Sequence, residues 1–142
     1  MIYTELTKKA IKLMFEAHKD QVDKCGIPYV FHPFYLATQM DDEVTTVVAL
    51  LHDVVEDTSY TLQDLKEMGF PQVVCDALRL LTHDENVDYL DYVKNIKTNE
   101  IATKVKIADL KHNSDLTRLD TIAIHDYERV EKYQKALEIL TK

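Results

Sequence analysis

Glycine and proline are nearly missing from this chain, with two glycines and three prolines in 142 residues. A sheet protein of this length needs more turn punctuation, so the scarcity favours helices joined by short connections. Cysteine occurs twice, at Cys25 and Cys75, each alone rather than in a Cys-x-x-Cys pair. That spacing argues against a zinc ribbon or disulfide framework and suits a reducing compartment. No apolar run approaches the length of a membrane span. The first residues, Met-Ile-Tyr-Thr-Glu-Leu-Thr-Lys-Lys, mix polar and apolar side chains with an early glutamate, unlike a signal peptide. The expectation is a cytoplasmic protein with no membrane partner. Positive charge is also scarce: 17 basic against 25 acidic side chains leave a formal charge of −8. Such a surface repels duplex DNA and anionic lipid, which argues against a nucleic acid polymer as partner. A small anionic substrate remains admissible, and a bound cation is one way for an acidic protein to supply the local positive centre.

What the chain does have is helical periodicity. Leu6, Ala10, Leu13 and Ala17 predict a helix from about Thr4 to His18. The stretch from Lys19 to Pro33 holds Gly26, Pro28 and Pro33 and reads as an ordered loop, with a short helix from Phe34 to Met40. Val44, Val47, Val48, Leu51 and Val55 line one continuous helix ending near Glu56. Further helices are predicted over Thr61–Glu67, Val73–Leu81, Val87–Ile96, Glu100–Leu116 and Ile122–Leu140. The length suits one domain, residues 1–142, large enough to bury a core without disulfides or structural zinc. The fold class is all-α, a single compact domain of about six to eight helices.

The segment Ala-Leu-Leu-His-Asp-Val-Val-Glu-Asp-Thr, residues 49 to 58, ends an apolar helix in four polar side chains. Residues four apart stand above one another on a helix, so His52 pairs with Glu56 and Asp53 with Asp57. Burying such a cluster costs several kcal/mol unless it is paired or metal-bound. Two other segments carry matching groups. Tyr-Val-Phe-His-Pro puts His32 at the end of the loop, and Lys-Ile-Ala-Asp-Leu-Lys-His-Asn places Asp109 and Asn113 four apart with Lys106 a turn earlier. His32, His52, Asp53 and Asp109 supply two imidazoles and two carboxylates, a mixed set suited to Mn²⁺ or Fe²⁺, or to Zn²⁺.

In order, Ala-His-Lys-Asp-Gln, Gly-Ile-Pro-Tyr-Val-Phe-His-Pro, Leu-Leu-His-Asp-Val-Val-Glu-Asp-Thr and Lys-Ile-Ala-Asp-Leu-Lys-His-Asn resemble the HD-domain phosphohydrolases. Within them the likeness is to the guanosine tetraphosphate (ppGpp) hydrolases of the RelA/SpoT type, including the small stand-alone forms, and runs from Ala17 to Leu119. The resemblance implies an HD-type fold and a divalent metal, typically manganese, held by His32, His52, Asp53 and Asp109. It implies Glu56 and Asp57 as the acidic pair that deprotonates and orients the attacking water. Asn113, Lys24 and Lys106 fall on the substrate side. The implied activity is removal of phosphate or pyrophosphate from a phosphorylated nucleotide, as in a ppGpp 3′-pyrophosphohydrolase.

Two positions depart from that pattern. Asp23 stands where the family carries an arginine that packs on the purine, and Asp115 stands where close relatives carry another arginine. The alternatives are therefore an HD phosphomonoesterase on another nucleotide, such as a 5′-nucleotide or a nicotinamide cofactor phosphate, or a nucleotide-binding regulator without turnover. Arg129, Lys132 and Tyr133 read as a solvated helix face with Tyr133 in the core. His18, His83 and His125 have no partners at telling spacing, and His112 is placed behind the metal ligands rather than among them. Tyrosine-bearing acidic helices could also form a homo-oligomer face.

Overall fold

Apolar side chains recurring every three to four residues fold this chain into nine α-helices and one 3-10 turn, without a strand. The computed structural model describes residues 1–142. The helices are α1 (Glu5–His18), α2 (Phe31–Thr38), α3 (Glu43–Leu51), α4 (Val54–Asp57), α5 (Leu62–Glu67), α6 (Gln72–Leu81), α7 (Tyr89–Ile96), α8 (Glu100–Asn113) and α9 (Ile124–Thr141). The 3-10 turn spans Leu116–Arg118. Their starts follow from local chemistry. Thr4 and Thr61 accept hydrogen bonds from the backbone N–H three residues on, and Asp42 Oδ1 accepts from Thr45 N at 2.8 Å.

Helix α3 is the axis of the molecule. Seven of its residues, Thr45 to Leu51, are buried, and it packs against α1, α2, α6 and α8. A helix apolar on all sides belongs in a core. It anchors one hydrophobic cluster of 26 buried residues that also takes in Met14, Leu36, Leu65, Leu78, Ile96 and Leu110. Helix α9 closes the bundle over α7 and α8.

Of the boundaries that differ from the expected ones, three bear on the site. Helix α2 starts at Phe31, so His32 and Pro33 lie inside its first turn; the missing N–H of proline costs nothing there. The helix expected to run on to Glu56 is broken at His52–Asp53, where Asp53 has φ −105° and ψ 0° before the single turn of α4. That bridge-region backbone leaves the helical well and re-aims the side chains. Helix α8 ends at Asn113 rather than Leu116, which lies beyond it and is only half-buried. Asp115 explains the stop: its Oδ1 accepts the Thr117 N–H at 3.0 Å and starts a new turn.

Candidate metal centre

The end of α3, the first turn of α2 and the middle of α8 meet at one buried point. His32 comes from α2, Asp109 from α8, and His52 and Asp53 from the break after α3. The ligating atoms of His32, His52 and Asp109 lie within 4.8 Å of one another. His32 Nε2 is 2.9 Å from Asp109 Oδ1. His52 Nε2 is 3.0 Å from Asp53 Oδ2 and 3.5 Å from Asp109 Oδ1. His52 Nδ1 lies 2.7 Å from the Ala49 carbonyl, and since a carbonyl only accepts, the ring donates there. When the ring is neutral, as a metal ligand must be, Nε2 carries the lone pair; without a cation the two carboxylates favour a proton on it. It is buried, faces both carboxylates and makes no hydrogen bond of its own. An orphaned buried nitrogen aimed at two carboxylates is the donor arrangement a cation would complete.

A second layer of side chains holds this group. The Tyr29 hydroxyl donates to Asp53 Oδ2; burial and then the Asp53 charge push the phenol well above its ordinary range, so it stays a donor. Lys106 Nζ is 2.9 Å from Asp109 Oδ2, and Asn113 Nδ2 donates to Asp109 Oδ1 at 3.0 Å. Burial opposes the Asp109 charge, yet Lys106, His32 and His52 hold its carboxyl well below the usual range. Burial likewise opposes a charge on His52, but Asp53 and Asp109 outweigh it and raise the ring well above its ordinary value. A site that draws a proton this strongly draws other cations as well. His32 Nδ1 lies 2.7 Å from His112 Nδ1, with the rings stacked at 5.0 Å. Burial, then Arg118 and His32, push His112 down to about 4, so it is neutral and can accept the His32 Nδ1 proton, leaving His32 Nε2 for a ligand.

Glu56 and Asp57 sit on α4 at the exposed rim. Their carboxylates and that of Asp53 form a second group within 4.8 Å. The helix break replaces the expected stacking of His52 on Glu56 and sends the glutamate to the loop after α6, where the His83 N–H donates to Glu56 Oε1 at 2.7 Å. Burial, then Asp53 and Glu56, raise Asp57 to about 6. Gln21 Nε2 donates to the Asp57 carbonyl at 3.4 Å, and Gln21 Oε1 is 2.9 Å from Nδ1 of the fully buried His18. His18 and His83, without telling partners in the sequence, thus stand behind this acidic rim. His125 is exposed, 3.6 Å from Asp126.

Beside His32 opens a cavity of about 340 Å³, lined among others by Asp23, Lys24, Asn113, Arg118, Arg129 and Tyr133. Lys24 and Asn113 face it; Lys106 does not, being turned onto Asp109 and the Tyr92 ring. Arg129 is not on a plain solvated face: it pairs with the buried Asp126, which Lys24 also approaches at 3.9 Å. Tyr133 both packs on the core and lines the cavity, while Lys132 lies over the Tyr89 ring at 4.0 Å. Asp115 lines the same cavity. Tyr29 and Arg118 were not singled out in the sequence. Tyr29, three residues before His32 in a motif already noted, carried the one usable signal.

No protein-family model matches the chain. A solved structure of a metazoan ortholog of SpoT, described as hydrolysing ppGpp, superposes with a TM-score of 0.80 at 24% identity, covering 99% of this chain and 88% of that one. The chain has the HD-type hydrolase fold. In sequence the chain is similar to parts of longer curated proteins. A guanosine-3′,5′-bis(diphosphate) 3′-pyrophosphohydrolase of Aquifex aeolicus is 28% identical over 140 residues, 94% of this chain and 20% of that protein. The enzyme of the same name from Haemophilus influenzae is 33% identical over 112 residues, 69% of this chain and 16% of its own length. The chain thus spans a fifth or less of the length of these curated relatives. For HD-type hydrolases a divalent metal is implied, and the His32, His52 and Asp109 cluster could hold it.

Proposed function

We propose that this chain is a metal-dependent phosphohydrolase that removes pyrophosphate from the 3′ position of guanosine tetraphosphate or a closely similar nucleotide, with residues 1–142 working as one HD-type domain. The observation that carries this reading is the buried Nε2 of His52, which faces two carboxylates within 3.5 Å and has no hydrogen bond. His32, His52, Asp53 and Asp109 would hold the ion, and their mixed nitrogen and oxygen set suits manganese. When bound, such an ion acidifies a water and polarises a phosphoryl oxygen.

The rest of the chemistry belongs to the chain. Glu56 receives the proton of the attacking water at Oε2, since Oε1 already accepts the His83 N–H. Asp57, titrating at about 6, accepts a hydrogen bond from the same water near neutral pH and fixes its direction. Lys24 and Asn113 meet the nucleotide at the cavity, and Lys106 acts at one remove by orienting Asp109.

The test is turnover of a nucleotide panel with Mn²⁺, separating phosphate from pyrophosphate by chromatography. Chelator should abolish activity, and Glu56→Gln should retain the metal while kcat falls by about 10²–10⁴. A manganese-loaded protein that cleaves no phosphorylated nucleotide would overturn the assignment and favour a binding regulator.

A further inference from the structure

Arg118 has no place in the proposed hydrolysis, yet it stands where two cavities meet. One is the 340 Å³ cavity of Lys24 and Arg129; the other, about 460 Å³, is bordered by Phe31, Tyr35 and His112. Both also touch Asp23, Tyr29 and His32. Asp23 and Arg118 therefore form the wall between them, next to the metal-ligand cluster.

That wall is built rather than loosely solvated. Arg118 Nη1 donates to the His112 carbonyl at 2.9 Å and to Asn113 Oδ1 at 3.3 Å, and Nη2 lies 3.9 Å from Asp23 Oδ2. The Cys25 thiol donates to the Arg118 carbonyl at 3.4 Å. Asp23 is fixed separately, its Oδ1 accepting the backbone N–H of Cys25 at 2.8 Å and of Ile27 at 3.0 Å. Gly26, at φ +78°, makes the turn that allows this wrap. Each side chain of the pair is only 27% exposed.

Opposite charges at this distance leave no surplus positive potential, so a phosphate placed here would meet Asp23 as well as Arg118. What the wall does present is a flat guanidinium of fixed orientation, a carboxylate oxygen with free lone pairs, and apolar neighbours at Val22, Ile27 and Leu119. Those features fit a neutral planar heterocycle bearing adjacent N–H and C=O groups. Phosphates are left to Lys24, Arg129 and the metal-ligand cluster.

We infer that Arg118, held by the His112 carbonyl and Asn113 and faced by Asp23, is a specificity-determining residue that receives the base of the nucleotide. The inference rests on the hydrolase reading and extends it by naming where the base is recognised.

The experiment measures binding of guanosine and, separately, of inorganic pyrophosphate to the manganese-loaded protein by calorimetry, together with KM and kcat on the nucleotide. Arg118→Ala should weaken guanosine binding and raise KM about ten-fold, with pyrophosphate binding and kcat within about two-fold of wild type. Arg118→Lys keeps the charge without the flat fork and should weaken guanosine to a similar extent. Should Arg118→Ala fail to fold, Asp23→Asn serves instead: it keeps the loop acceptor, unpairs the guanidinium and should tighten pyrophosphate binding. Equal losses of guanosine and pyrophosphate in Arg118→Ala would make this a phosphate site and overturn the inference. So would unchanged binding of both ligands in either variant, or no guanosine binding by the wild type at millimolar concentration. Guanosine binding that depends on Arg118, in a protein that hydrolyses no nucleotide, would sink the hydrolase reading and leave the base site standing.

Discussion

Replacing Tyr29 with phenylalanine removes one oxygen atom and tests how the proposed metal ligands are held. That hydroxyl donates to Asp53 Oδ2, the same oxygen that lies 3.0 Å from His52 Nε2. Its loss leaves the Asp53 carboxylate free to rotate towards Glu56 and Asp57, with which it already forms a tight acidic group. Hydrogen bonds to charged groups are worth about 1.5–3 kcal/mol. Loss of an outer partner of a metal ligand lowers metal affinity roughly 10- to 100-fold, or about 1.4–2.8 kcal/mol. The two ranges overlap, so Tyr29→Phe is expected to raise the Mn²⁺ dissociation constant about 30-fold while the fold persists. Isothermal titration with Mn²⁺ gives the constant directly, and far-UV circular dichroism reports the helices. A folded Tyr29→Phe protein that binds manganese as tightly as the wild type would show that Asp53 either needs no such support or does not ligate the ion.

Two further perturbations probe the electrostatics. Asp109→Asn leaves Lys106, whose side chain is 14% exposed, without its charge partner, so urea unfolding of the metal-free protein should show a loss of about 3–5 kcal/mol, largely recovered in Asp109→Asn/Lys106→Met. Equal stability of the single variant and the wild type would mean that Lys106 escapes to water. Asp57→Asn should raise the Tm of the metal-free protein at pH 7.5 and much less at pH 4.5. The folded-state value of about 6 lies above the ordinary 3.8, so the ionised carboxylate costs stability above pH 6, and that cost fades as pH falls towards 4. Thermal scans at both pH values decide it, and a pH-independent shift would refute the crowding.

Much of the architecture was legible from periodicity, because α1, α5, α6 and α8 carry apolar residues at three- and four-residue steps, and α1, α5 and α8 begin at side-chain caps. The break at His52–Asp53 was not. Val55 continues the apolar stripe of α3, so the pattern reads as one helix although the backbone turns at Asp53. Burial of polar groups was equally hidden. His18 has no signature distinguishing it from a surface histidine, yet it is fully buried against Tyr29, with ring centroids 5.1 Å apart. Arg118 was invisible because it acts from a 3-10 turn, where no helical face predicts a direction. Lys106 stood at the right spacing from Asp109, and spacing alone could not tell an anchor of the carboxylate from a contact with substrate.

Helix α3 fills the centre of the molecule and opens, without an intervening linker, into His52 and Asp53. Ballast and working parts therefore share one rod. A cavity cut at Leu50 or Leu51, both fully buried, would shift the two side chains just beyond it, whereas the loop around Asp23 and the turn carrying Arg118 hang from the periphery of the bundle. Variation in what the pocket accepts has room to accumulate in those two outer segments; the central rod offers almost none.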